Sequence, residues 1–159
     1  MRPTPEVQAA TEETALRPDI TENRTYRLPL PPHPIAAEQA RILVRLALAA
    51  WNICDIIDNA LVITTELVAN AVKIGDVFHI TVSRHGGTVL IEVWDTSEAC
   101  PDRRRQSVER VDGRGLLLVE ACSKDWGWRL EEQGGKTVWS VAAGDGAEPA
   151  VTPPSDLRM

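Results

Sequence analysis

Two clusters of residues have the types and spacing for phosphate and metal chemistry. One is Glu66-Leu67-Val68-Ala69-Asn70; the other is Gly113-Arg114-Gly115, which opens the apolar run Leu116-Leu117-Leu118-Val119. A Glu and an Asn four residues apart share one side of a helix, setting a base beside a neutral oxygen ligand. A glycine pair ahead of an apolar helix can lay its backbone N–H groups against phosphate oxygens. In this order, with Asp95 closing a strand between them, they describe a site for a nucleoside triphosphate and its magnesium.

The other candidates carry less. Asp95, at the end of Val93-Trp94-Asp95, is either a strand-terminal turn residue or a carboxylate that accepts from the exocyclic amine of a purine, with Trp94 or neighbouring apolar residues walling the ring. Gly113-Arg114-Gly115 is not a dinucleotide fingerprint, because Leu118 stands where the third glycine belongs. Gly135-Lys136-Thr137 is not a P-loop: Leu130 occupies the first glycine position and a strand pattern follows. Arg103-Arg104-Arg105 reads as solvated surface or as charge for a triphosphate. His33, His79 and His85 assemble neither a nucleophile–base pair nor a metal cluster.

The elements that must position these residues follow from periodicity. Asn23–Leu30 alternates weakly as an edge strand stopped by Pro31 and Pro32, and Ile35–Trp51 is a breaker-free helix. Asp55–Ile74 is the sharpest pattern. Ile56, Ala60, Ile57, Leu61, Thr64, Leu67, Val68 and Ala71 form one face, and Asp55, Asn59, Glu66, Asn70 and Lys73 form a stripe opposite, with Gly75 as the stop. That stripe has a bland alternative, a solvated helix face. Val77–Arg84 and Val89–Asp95 alternate around His85-Gly86-Gly87-Thr88, and Thr96–Asp112 is a long loop of functional length. Gly115–Cys122 is a short apolar helix; Asp125–Glu132 and Lys136–Ala143 make a last hairpin around Gln133-Gly134-Gly135. The expected architecture is α+β: a two-layer sandwich of a mostly antiparallel mixed sheet with helices on one face.

Composition bounds the rest. At 159 residues, 43% of them hydrophobic, the chain is long enough for one domain with a sizeable core, expected at 23–143 between disordered arms at 1–22 and 144–159. A net charge of −6 argues against a general nucleic-acid or anionic-membrane partner. Cys54, Cys100 and Cys122 fit neither a disulfide framework nor a zinc site, so buried reduced thiols are expected. No apolar leader segment and no run long enough to cross a bilayer is evident, so the expectation is a soluble cytoplasmic protein.

Taken jointly, the segments from Tyr26 to Val141 resemble the GHKL superfamily of ATP-binding domains, and within it the stand-alone anti-sigma factors with serine-protein kinase activity, of actinobacterial type. The helix Leu61-Val62-Ile63-Thr64-Thr65-Glu66-Leu67-Val68-Ala69-Asn70-Ala71-Val72 is similar to the family's N box. There the Asn ligates magnesium and the Glu orients or deprotonates the attacking group, roles the resemblance assigns to Asn70 and Glu66. Asp95 corresponds to the adenine-reading aspartate. Gly113, Arg114, Gly115, Leu116 and Val119 correspond to the second glycine box, whose backbone touches phosphates at the end of the ATP lid. Trp126-Gly127 and Gly134-Gly135-Lys136-Thr137-Val138-Trp139 resemble the terminal hairpin, with Thr137 near the adenine. Where the superfamily has Asp-x-Gly-x-Gly, this chain reads Asp95-Thr96-Ser97-Glu98-Ala99, so Ser97 either crowds the base or hydrogen-bonds beside it.

The resemblance implies the Bergerat ATP-binding fold, ATP and magnesium as cofactors, and transfer of the γ-phosphate to a serine of an antagonist protein. It implies a sigma factor or that anti-anti-sigma antagonist as partner, in an assembly that leaves room for a homodimer. A complete sensor histidine kinase is not expected, since no phospho-accepting helix precedes the domain. The rival expectation is a non-catalytic interaction module with a degraded nucleotide pocket, sequestering a sigma factor or antagonist, and Ser97 is what favours it.

Overall fold

A computed structural model describes residues 24–101 and 115–144. Its elements run β1 (Thr25–Leu30), α1 (Ile35–Ala50), α2 (Ile57–Val72), β2 (Phe78–His85), β3 (Thr88–Asp95), α3 (Gly115–Cys122), β4 (Ser123–Leu130) and β5 (Lys136–Ala142). The strands form one five-stranded sheet in the order β1-β2-β3-β5-β4. Every pairing is antiparallel. The expected α+β two-layer sandwich is therefore what the chain forms. The expected arms and most of the long loop, including Arg103-Arg104-Arg105, lie outside the described residues.

Strand alternation decides which side chains meet the helices. Phe78, Ile80 and Val82 of β2 and Val89, Ile91 and Val93 of β3 are at most 1% exposed. The register sets Ile80 opposite Val93 and Val93 opposite Val138, so one face is a continuous aliphatic floor. Onto it α1 turns Ala36, Ala40, Val44, Ala47 and Leu48, and α2 turns Ala60, Ile63, Thr64, Leu67, Val68 and Ala71. The alanines in both stripes permit close approach of helix to helix and helix to sheet. The short α3 adds Leu116 and Val119.

The helix ends have local causes. At the end of α1 the Asn52 N–H donates to the Ala49 carbonyl (3.1 Å) and the Ile53 N–H to the Leu48 carbonyl (2.9 Å). Asn52 itself takes φ 56°, the left-handed cap that Asn tolerates better than most side chains. This turn, rather than the expected helix, carries the chain to Ile57, so α2 starts two residues later than its periodicity suggests. Gly75 lies past the other end with φ 90°. The β2–β3 turn is the two-residue Gly86-Gly87, with Gly86 at φ 64°.

Two expectations need correction. Cys54 and Cys100 are exposed and Cys122 is half-buried. Cys54 follows the helix stop, where Ile53 and Ile56 supply the inward contacts, so its thiol is left outside. Strand β4 begins at Ser123, directly after α3, because the Ser123 hydroxyl is buried between the Val119 carbonyl and the Ser140 hydroxyl. Among the described residues no helix is long and apolar enough to cross a membrane.

Ile91 lies at the centre of this floor with no exposed surface. Ile91→Ala is expected to cost about 2–5 kcal/mol of stability, as cavity-forming core truncations do. Urea unfolding measures it; a loss under about 1 kcal/mol would mean the site collapses without strain.

Candidate functional site

Because α2 buries its apolar face on the sheet, its polar stripe turns sideways toward α3 and the end of β5. The stripe does not act as a unit. Asn59 clasps the chain after β5, its Nδ2 donating to the carbonyls of Ala143 (3.2 Å) and Gly144 (3.3 Å). Glu66 and Asn70, one turn apart, are half-buried. Thr65, between the faces, returns its hydroxyl to the Leu61 carbonyl and receives Arg41 Nη1 at 3.2 Å.

Glu66 meets the first residue of α3. A Cβ placed on Gly115 would lie 2.8 Å from Glu66 Oε2, so only glycine leaves that oxygen undisturbed. Gly115 is buried there, and the next side chain, Leu116, is 1% exposed and belongs to the core. Leu116 thus contributes no side chain to a ligand; its backbone alone could. Gly113 and Arg114 lie outside the described residues. Burial raises the Glu66 carboxyl above the ordinary value of 4.5, an effect the nearby Lys73 charge partly opposes.

Asp95 ends β3 on the helix side, 4% exposed. Its register partner is Lys136, the first residue of β5. Lys136 Nζ lies 2.8 Å from Asp95 Oδ1 and 3.0 Å from Oδ2, and the side chains are 8% and 5% exposed. The Ser97 N–H donates to the same Oδ1 at 2.9 Å, and the Ser97 hydroxyl in turn accepts from the Ala99 N–H at 3.1 Å. Ser97 therefore turns the chain away from the strand end through its backbone. The hairpin reaches this position through Gly135, at φ 78°, where a Cβ would stand 2.2 Å from the Asp95 carbonyl oxygen.

Two residues expected near a base lie elsewhere. Thr137 is opposite Trp94 in the register, one step from the Asp95–Lys136 pair, so both project from the other face of the sheet. There the Thr137 hydroxyl donates to Glu131 Oε1 at 2.6 Å. Trp94 stacks on His79 with centroids 5.1 Å apart and planes 11° from parallel, and its Nε1 donates to the Gly134 carbonyl at 3.0 Å. Trp94 cannot wall a ring held by Asp95. These side chains, with Arg27, Glu92 and Arg129, line a separate groove of about 390 Å³. Its charges are largely internal: Arg129 binds Glu92 at 2.8 Å and Glu131 at 2.9 Å. Burial and the Arg27 guanidinium, 2.8 Å from its Nε2, hold His79 below the ordinary histidine range.

The site residue that pattern reading missed is Lys136. In the sequence it stands in a failed phosphate-loop motif and in the hairpin run Gly134–Trp139 with no role of its own, and β5 alternates ambiguously: Thr137, Trp139 and Val141 would serve as an inward face as well as Lys136, Val138 and Ser140. Among the described residues no group of three His, Cys, Asp or Glu is placed to hold a metal ion.

Truncating Asp95 should expose the cost of the buried pair. Asp95→Ala leaves the Lys136 ammonium buried without its counter-charge and is expected to lose about 3–5 kcal/mol, most of which Asp95→Ala combined with Lys136→Met should restore. Equal losses in the single and double variants would show the pair is not coupled. Glu66 gives a pH signature. Its carboxyl is held up in the fold, so the stabilisation from its protonation is complete below about 4.5 and disappears as pH rises through the raised value. Glu66→Gln should remove that descent and leave a more stable protein at neutral pH; urea midpoints across pH decide it. No family model matches this chain, and no curated protein matches it.

Proposed function

We propose that the chain is an ATP- and magnesium-binding regulatory protein, similar to anti-sigma factors with serine-protein kinase activity, that holds its nucleotide between α2 and α3. The observation that supports this most is the packing of Glu66 on Gly115. It brings together the two sequence clusters with phosphate chemistry, at a position where only the absence of a Cβ leaves Glu66 Oε2 undisturbed. The first turn of α3 offers its backbone N–H groups there to an anion. The residues present fit the nucleotide in that respect.

Asn70 would hold magnesium through its carboxamide oxygen, with the remaining positions left to phosphate and water. When bound, magnesium supplies charge neutralisation on the phosphates. Glu66 faces the same side of α2. Its elevated affinity for a proton suits it to accept one from an incoming serine hydroxyl, since a general base works best with its pKa drawn toward the working pH. The phosphate acceptor in this reading is a serine of an antagonist protein, and the regulated partner is a sigma factor. A cytoplasmic location accompanies this role. The acidic net charge of −6 favours protein over nucleic-acid partners.

One observation favours a second reading, a non-catalytic module of the same fold. The Asp95 carboxylate that would read adenine is already engaged by Lys136 and by the Ser97 N–H.

Calorimetric titration with Mg–ATP separates the two. The nucleotide reading expects saturable binding in the micromolar to millimolar range and a difference between magnesium and EDTA that Asn70→Ala abolishes. Absence of heat at millimolar Mg–ATP would leave the interaction module. Binding that keeps its full magnesium dependence in Asn70→Ala would remove Asn70 as the ligand.

A further inference from the structure

We infer that the outward face of α1 binds a second copy of this chain, the two helices lying antiparallel about a two-fold axis beside Ile42. The inference stands apart from the nucleotide reading and starts from exposure. On α1, Ala36, Ala40, Val44, Ala47 and Leu48 enter the core. Ile35, Ile42 and Leu46 do not: they are 52%, 47% and 64% exposed, and Leu46 is the most exposed large apolar side chain among the described residues. With Gln39 and Ala49, also exposed, they recur at spacings of three and four, within about 80° of arc at 3.6 residues per turn. Apolar residues scattered singly over a surface are ordinary; a seam of this period along one helix is what a second helix packs against.

Two features make the seam complementary to itself. Ile42 is its midpoint, so reversing the helix about that residue brings Ile35 against Ala49 of the second copy, bulky against small, at each end. Ile42 then packs on its own counterpart. Glu38 and Arg45 lie on one flank of the seam, four residues before the midpoint and three after it, and both are exposed. In an antiparallel pair that flank faces its own copy, so each Glu38 lies beside the other chain's Arg45, and the two-fold axis forms the contact twice. Glu38 gives Oε2 to Arg41 and keeps Oε1 open, while Arg45 pairs with no acid among the described residues. A parallel pair would instead set Glu38 and Arg45 against Leu43 and Ala50, positions without charge.

At 16 residues α1 is about 24 Å long, so the contact belongs to the smaller class of interfaces and the expected affinity is micromolar.

The experiment is sedimentation equilibrium of the full chain from about 1 to 300 μM. Wild type is expected to show a monomer–dimer equilibrium with a micromolar Kd. Leu46→Asp and Ile42→Asp should each raise that Kd by about tenfold or more, with thermal unfolding checking that the variants fold. Glu38→Arg alone and Arg45→Glu alone should each weaken dimerisation roughly tenfold, since each sets like charges together twice. Mixing those two variants in equal amounts should restore a heterodimer near wild-type affinity, because each carries the charge the other has lost. A wild type that stays monomeric throughout overturns the second copy as occupant and leaves the face to a different protein. A dimer that Leu46→Asp and Ile42→Asp leave intact overturns α1 as the surface. A mixture that dimerises no better than its components overturns the antiparallel pairing. No nucleotide enters the measurement, so its outcome is independent of Mg–ATP binding.

Discussion

The constraint on which the rest depends is that α2 must bury one face against β3 and β5. Ile63, Leu67, Val68 and Ala71 are at most 2% exposed, and this packing sets the rotation of the helix about its own axis. Once that rotation is set, Glu66 and Asn70 are fixed on one side of α2, and Glu66 lies on Gly115. A core requirement, non-directional in origin, thereby aims two polar side chains with the precision of a helix turn.

The second device works in the opposite sense. Burying a lysine and an aspartate is costly in a weakly polarisable interior, and their attraction compensates only with good geometry and further hydrogen bonds. Here both carboxylate oxygens meet the ammonium and one also meets a backbone N–H. An aliphatic pair would fill the same space at less cost. The pair joins register partners at the junction of β3 and β5.

Much of the fold was legible in the sequence. The long amphipathic pattern of α2, the Gly86-Gly87 hairpin and the glycines around Gly135 each rest on local chemistry that tertiary contacts do not override. What was not legible had a common origin. The motif places Thr137 and Trp94 on the base-binding side, yet a strand alternates, and neighbours of Lys136 and Asp95 must face away from them. Both faces of β5 carry residues suited to burial, so the choice waits on pairing with β3. Cys54 looked buried because apolar residues surround it in sequence, while the left-handed turn at Asn52 redirects the chain before the thiol can enter. Ser97 stands where the glycine motif would leave room beside a base, and here its N–H donates to Asp95 while its hydroxyl accepts from the Ala99 N–H.

One small feature has a reach beyond its size. At Gly134 and Gly135 the chain holds the Trp94 indole through a carbonyl and passes within a methyl's width of the Asp95 backbone, and the next residue grasps the Asp95 carboxylate. A single hairpin thus grips consecutive residues of β3 that project from opposite faces. One turn therefore ties the buried ion pair under the helices to the indole and imidazole stack on the far surface of the sheet.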